Sequence, residues 1–440
     1  MVLTTASAVL FGVVFLADVF GLHTNPYIGI VFFLVLPFLF VVGLALIPIG
    51  AWIERGRRLA GLPPAAVRWP LVDLNDARQR TIVITIFCLT MANVVIVSLG
   101  AYRGVEYMDS VQFCGQVCHA PMAPEFAAHA VGPHAQVKCV DCHVGTGASS
   151  YAKAKLAGTR RVVGVILNNY PRPIVAASDQ VISARETCET CHWPARAHAD
   201  KVRRIVEYAD DEKNTPSVTT LRVHVGGGDG RHGLATGIHW HMNVGNRIEY
   251  VATDDSRQTI PYVRMTDGQG NVREYVGDGA TPELLAKGAR RQMDCLDCHN
   301  RPSHVVTATA ERAVNEAMAE GGIPTTLPFA HREAVKVLKA EYPTQQAGVG
   351  EISRRVRDFY QKEQPAFAQS HAADIDRAIS TVQDIYARNV FPDMKVRFGT
   401  YPNNIGHIDF PGCFRCHDDN HKSRDGKKIS QDCDICHAVE

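Results

Sequence analysis

Apolar residues are concentrated at the start of the chain, in three long stretches separated by short polar ones. Leu3 to Leu22 is apolar apart from polar residues near its start and Asp18. Tyr27 to Ile53 is nearly charge-free, with Pro37 and Pro48 inside it, and Thr81 to Tyr102 is the third stretch. Each reaches the ~20 residues a helix needs to cross a hydrocarbon core, so the pattern predicts a three-helix transmembrane anchor over residues 1–105. The loop after the second stretch carries Arg55, Arg57, Arg58, Arg68, Arg78 and Arg80, whereas the turn at His23, Thr24, Asn25 and Pro26 carries no lysine or arginine. The positive-inside rule then places the arginine loop and the amino terminus in the cytoplasm and sends the third span outward. A cleavable signal peptide is the alternative for the first stretch, but it lacks a basic n-region and a small-residue cleavage site. Asp18 would cost ~2.5–3.5 kcal/mol at mid-bilayer, which puts it near the outer end or against another helix.

Beyond the spans the pattern changes. Ser217–Val225, Arg247–Ala252, Ile260–Met265 and Val272–Val276 read as strands rich in valine, isoleucine, threonine and tyrosine, with a hairpin loop at Asp267 to Asn271. They mark a small β insertion over residues 201–290. Helical periodicity follows in Ala308–Ala319, Phe329–Tyr342, Glu351–Glu363 and Ala373–Asn389, interrupted by Gly321, Gly322, Pro343, Pro365 and Pro392. The remaining divisions are 106–200, 291–390 and 391–440.

Composition adds one decisive feature. Thirteen cysteines occur among 440 residues, and twelve form six pairs, each followed at once by histidine. The sets are Cys114/Cys118/His119, Cys139/Cys142/His143, Cys188/Cys191/His192, Cys295/Cys298/His299, Cys413/Cys416/His417 and Cys433/Cys436/His437. Cysteine-x-x-cysteine-histidine is the attachment site of c-type haem. Two thiols a helical turn apart can each bond one vinyl group, and the adjacent imidazole faces the iron. Zinc knuckles also use paired cysteines, but zinc does not require histidine after every second one. The first pair has three intervening residues instead of two. The thirteenth cysteine, Cys88, lies in an apolar run and reads as packing. Haem is attached outside the bacterial cytoplasm, so the exported part should be periplasmic and the anchor should lie in the inner membrane. A net charge of +1 offers no argument for nucleic acid. With six covalent haems, much of the core should be porphyrin, and weak apolar periodicity is expected.

The fold class that follows is a membrane-anchored multihaem cytochrome c. Three N-terminal transmembrane helices precede a mainly α and irregular periplasmic haem domain with a small β insertion. The six histidines of the motifs are proximal ligands by position. Distal candidates are His134, just ahead of Cys139; His304, five residues past His299 and better placed for a neighbouring haem than its own; His407; and His421. His239 and His241 flank Trp240 on an expected strand, where both would project from one face. His331 and His371 open helices and read as exposed, while His129, His198, His224 and His232 carry no assignment. Met122, three residues past His119, is either a packing residue or a ligand that raises reduction potential.

A span leading into a haem site with a nearby methionine, the stretch His134 to His143, and Cys298-His299 followed by His304 together resemble the NapC/NirT/NrfH family. The likeness runs from the third span through His304. These membrane-anchored multihaem cytochromes oxidise quinol and pass electrons to periplasmic partners. Arg185 to Cys188 with His192-Trp193-Pro194, and Gly412 to His417, resemble a longer branch with extra C-terminal haems, typical of bacteria with extracellular or metal respiration. Members usually have one span and four haems, and Met122 stands one residue later than in the NrfH pattern. The family's quinol pocket uses a lysine after the second haem site, where Lys153 and Lys155 stand. The acidic residue that follows in NrfH is replaced by Thr159, Arg160 and Arg161, so Glu125, Glu106 or Asp109 would have to accept the quinol proton.

The resemblance implies a hexahaem conduit that oxidises membrane quinol, menaquinol in particular, near haem 1 and delivers electrons to periplasmic cytochromes or a reductase. A wiring or anchor subunit of a larger respiratory complex is the alternative. A terminal reductase would need a vacant iron, often marked by lysine in place of the proximal histidine, and no such motif occurs.

Overall fold

The computed structural model describes residues 36–60, 73–117, 119–144, 148–174, 187–192, 200–227, 237–242 and 245–440, a few helix positions as backbone only. The stretch Leu3 to Leu22, with Asp18, lies outside the described residues, as does the start of the second stretch. The chain divides into two compact units, Met1–Val117 and Cys118–Glu440.

The first unit contains α1 (Leu36–Leu59), with Pro48 inside it, and α2 (Ala77–Met108). Asp76 caps α2 by accepting a hydrogen bond from the Arg78 amide at 2.8 Å. At 32 residues and ~1.5 Å per residue, α2 is about 48 Å long, more than the ~30 Å of a hydrocarbon core. The hydroxyls of Thr81 and Thr90 donate to carbonyls four residues back, at 2.9 and 2.8 Å, so neither burdens the apolar surface. Charges gather at the ends: Arg78 and Arg80 at the start, and the Arg103–Glu106 ion pair (2.6 Å) near the finish. Among the described residues α2 is the one helix long and apolar enough to cross a membrane; the apolar run of α1 covers Phe40–Gly50. Cys88, expected to pack, is exposed on α2 beside exposed Phe87 and Leu89, on a face suited to lipid. A π-helical turn, Phe113–Val117, follows and carries Cys114.

The second unit opens with α3 (His119–Val131), α4 (Cys139–His143) and α5 (Ala148–Ile166). Strands β1 (Lys201–Tyr208), β2 (Pro216–Val223), β3 (Arg247–Ala252), β4 (Tyr262–Thr266) and β5 (Val272–Val276) follow. Next come α6 (Pro282–Lys287), β6 (Ala289–Gln292) and α7 (Cys295–Cys298). Helices α8 (Ala310–Ala319), α9 (Ala330–Lys339), α10 (Gln345–Glu363), α11 (Pro365–Ser370) and α12 (Ala372–Asn389) precede a final strand, β7 (His437–Val439).

The strands form two antiparallel sheets, ordered β1-β2-β7 and β5-β4-β3-β6. The β region is therefore not a self-contained insertion. Strand β6, which leads into Cys295, pairs with β3, and β7, which begins at His437, pairs with β2. Strands β1 and β6 are rich in lysine and arginine, which hid them from apolar alternation. The separate segments expected beyond residue 117 form one body because these pairings cross them.

Helices α8 to α12 carry a dense core. Val314, Ile352, Tyr386 and Leu327 are completely buried, and Met318 and Val382 nearly so. The expectation that porphyrin replaces side-chain packing does not hold here. Thr309 and Thr344 cap α8 and α10, each accepting a backbone amide at 3.1 Å. The β1–β2 loop is pinned to this bundle by Asn214, whose amide donates to the carbonyls of Thr325 (3.0 Å) and Leu327 (2.8 Å) and accepts from the His331 amide (3.0 Å). His331 is buried, not exposed as expected, because Asp210 on the same loop takes its Nδ1 at 2.7 Å. Helix α10 meets α12 at Gly348, where an added methyl would overlap the buried Tyr386 ring. Gly348→Ala should therefore destabilise the helical bundle by about 1–3 kcal/mol through overpacking. Urea unfolding followed by far-ultraviolet circular dichroism should show an earlier loss of helix with haem content unchanged.

Candidate functional site

The third, fourth and fifth cysteine–histidine motifs share one local geometry. The histidine amide closes a tight turn on the carbonyl of the first cysteine, at 2.7 Å for His192 on Cys188, 2.8 Å for His299 on Cys295 and 3.0 Å for His417 on Cys413. Cys139, Cys142 and His143 lie on α4. Cys295 and Cys298 lie on α7, capped by Asp294, which accepts from the Leu296 amide at 2.8 Å. Cys413 and Cys433 each start a 3₁₀ turn or lie in one, within Gly412–Arg415 and Cys433–Ile435. In the first motif, Cys118 and the His119 side chain lie outside the described residues. Met122 is half-buried on α3, one turn past His119. Lys153 and Lys155 fall on α5, where only their backbone is described.

Motifs two to six follow one another in space as in sequence. Cys142 has Cys191 as an electrostatic neighbour, the Cys188 and Cys295 thiols are neighbours, Cys298 neighbours Cys413, and Cys436 neighbours Cys413. No two cysteines form a disulfide, and no three metal-binding side chains converge as a cage, among the described residues.

Opposite five of the motif histidines stands a second imidazole. Ring centres are 6.1 Å apart for His143 and His304, 5.9 Å for His192 and His134, and 6.5 Å for His299 and His239. They are 5.8 Å apart for His417 and His241, and 6.1 Å for His437 and His407. A metal–imidazole bond is about 2.0–2.1 Å, so two rings on opposite sides of one ion have centres roughly 6 Å apart once ring depth is added. The donors fit haem iron. His134, His241, His304 and His417 each present Nδ1 to a backbone carbonyl, of Pro302 (3.1 Å), Ile238 (2.7 Å), Glu125 (3.1 Å) and Ser430 (2.8 Å). That bond fixes the tautomer and leaves Nε2 open for metal. Burial holds the imidazoles of His143, His241, His299 and His304 below the ordinary histidine value, in the neutral form that binds metal. His239 and His437 each keep a buried ring nitrogen with no hydrogen-bond partner.

Several expected placements change. His239 and His241 lie on a 3₁₀ turn, Ile238–Met242, and face different partners instead of sharing one side. His421 is not an open ligand: Nδ1 meets Asp418 at 2.9 Å and Nε2 meets the Ile260 carbonyl at 2.7 Å, so both nitrogens are committed. Glu125 is not an open proton acceptor, because Arg301 contacts both its oxygens, at 3.0 and 2.8 Å, beneath His304. Arg301 in turn stacks on Tyr401, 3.8 Å from the ring centre. His129 also lies 6.2 Å from His304; its Nε2 meets the Val137 carbonyl at 3.0 Å and its buried Nδ1 has no hydrogen-bond partner.

One cluster escaped sequence reasoning. Asp297, inside the fourth motif, is buried and accepts from Tyr250 (2.5 Å), Arg257 (2.9 Å) and Arg291 (3.0 Å). Its backbone carbonyl accepts from Arg415, inside the fifth motif, at 2.7 Å. The signal was present as a charged residue between the cysteines of the fourth and fifth motifs, Asp297 and Arg415.

The family described as the NapC/NirT cytochrome c family, N-terminal region, matches residues 76–174. The cytochrome c-type protein ImcH of Geobacter sulfurreducens is 41% identical over 417 residues, 94% of this chain and 82% of its own length. No solved structure matches the chain. With its apolar helix, its cysteine-histidine motifs and this extent of identity, the chain belongs to the NapC/NirT family of membrane-anchored c-type cytochromes, which bind haem covalently and transfer electrons at a membrane.

Proposed function

We propose that this protein is an inner-membrane hexahaem cytochrome c that oxidises a membrane quinol, menaquinol in particular, beside its first motif. Electrons then leave through the later motifs to a periplasmic cytochrome or reductase. Three spans anchor it, with the arginine-rich loop on the cytoplasmic side. The observation that carries the reading is the succession of motifs as neighbours in chain order, from Cys142 and Cys191 to Cys413 and Cys436. Attachment points that neighbour one another in chain order are what short-range electron transfer requires.

Bound haem supplies one-electron oxidation and reduction at each motif, and the side chains set where that happens. His119, His143, His192, His299, His417 and His437 take the proximal positions. His304 serves the second motif, His134 the third and His407 the sixth, as their facing rings suggest. Met122 is the ligand candidate at the first. Glu125 becomes a positioning residue: its backbone carbonyl orients the His304 ring, and its carboxylate holds Arg301. Lys153 and Lys155 hydrogen-bond the quinol oxygen and favour its developing negative charge.

Two outcomes follow. Intact mass of the purified protein should exceed the polypeptide by six haem groups; a smaller increment rejects the hexahaem reading. Lys153→Ala with Lys155→Ala should slow reduction by menaquinol analogues at least about tenfold. Reduction by dithionite should be untouched; an unchanged menaquinol rate removes the lysines from the site.

A further inference from the structure

Resting on the haem reading above, we propose that the one 3₁₀ turn Ile238–Met242 ligates two irons, His239 closing the haem of the fourth motif and His241 that of the fifth. A 3₁₀ helix turns about 120° per residue, so side chains two positions apart diverge by about 120°. On a strand they would share a face and crowd one iron. The rings obey the helical geometry. His239 lies 6.5 Å from His299 with planes 15° apart, and His241 lies 5.8 Å from His417 with planes 78° apart.

The turn is built to hold two directions at once. Its backbone is fastened at Ile238 to the His224 carbonyl (2.9 Å) and at His239 to the Val225 carbonyl (3.0 Å). Gly237 enters it with φ +71°, where a side chain would overlap the His224 carbonyl. Trp240, between the histidines, packs on the sheet core of Ile248, Tyr250 and Val263. Its carbonyl accepts from the Asn246 amide at 3.1 Å. On the other side, Arg415 of the fifth motif reaches the Asp297 carbonyl of the fourth at 2.7 Å. Haems four and five are thus clamped twice, by the Asp297–Arg415 link near their cysteines and by the His-Trp-His turn across from their proximal histidines. Their separation is a property of short, rigid pieces and not of loop length.

The ring angles make the two irons distinguishable. Near-parallel axial imidazoles give ferric haem a rhombic low-spin resonance, whereas near-perpendicular rings give a single feature at large g. Electron paramagnetic resonance of the oxidised full-length protein, as wild type, H239G and H241G, tests the assignment. H239G should lose one rhombic signal and H241G one large-g signal, each gaining one high-spin iron while the mass still shows six haems. Added imidazole should restore a low-spin signal in each, as it would not for a residue with a purely structural role. H239M and H241M, which keep a ligand and spare the fold, should each raise the reduction potential of one haem. Loss of the same signal in both variants, or of none, overturns the proposal while leaving the hexahaem reading intact. A wild-type mass short of six haems instead removes the reading on which it rests.

Discussion

Two imidazoles can share one metal only if each ring is turned so that one of its nitrogens is left open toward the gap between them. That constraint governs the second unit. Carbonyls of Pro302, Ile238, Glu125 and Ser430 take the near nitrogen of four rings and so aim the far one across a gap of roughly 6 Å. Where both nitrogens are committed, as in His421, the histidine becomes a structural clamp. The difference between a ligand and a clamp is a single hydrogen bond.

Secondary structure delivers these rings to their places. Strand β6 pairs with β3 and hands the chain into α7, while β7 opposes Val223 with His437 and seats the last motif against the first sheet. His407 is held between motifs, stacked 4.2 Å from Phe414 of the fifth and facing His437 of the sixth. Gly412 lets this happen: with φ +49° it brings the Cys413 amide within 3.0 Å of the Gly406 carbonyl, next to His407. The buried Asp297 carboxylate, surrounded by two arginines and a tyrosine, ties the fourth motif to the sheet beneath it. A buried charge left without those partners would be strongly destabilising, which makes this junction sensitive to any one substitution.

The helical bundle follows different physics. Its apolar side chains pack against one another along the helical periods of α8, α9, α10 and α12, in place of the porphyrin core expected, and it needs no cofactor to exclude water. The contrast explains why helix positions there were legible in the sequence to within a few residues. The turns around the motifs were not, because their side chains are arranged toward a group that hydropathy does not register. Strands β1 and β6 were missed for a related reason: their basic residues obscure alternation, and pairing with apolar strands alone makes them part of a sheet.

The sequence by itself determined the chemistry, since cysteine pairs each followed by histidine specify covalent attachment through local covalent and helical geometry. It also carried the membrane character of α2, because hydrophobic length is a one-dimensional property. Tertiary structure alone decided which imidazole faces which. Facing rings come from residues as distant in sequence as His134 from His192 and His241 from His417. It likewise turned Glu125 from an expected proton acceptor into a support for His304, through an arginine that no spacing rule links to it. Ligand geometry is a relation between directions in space, and directions are set by turns, caps and sheet register after the chain has folded.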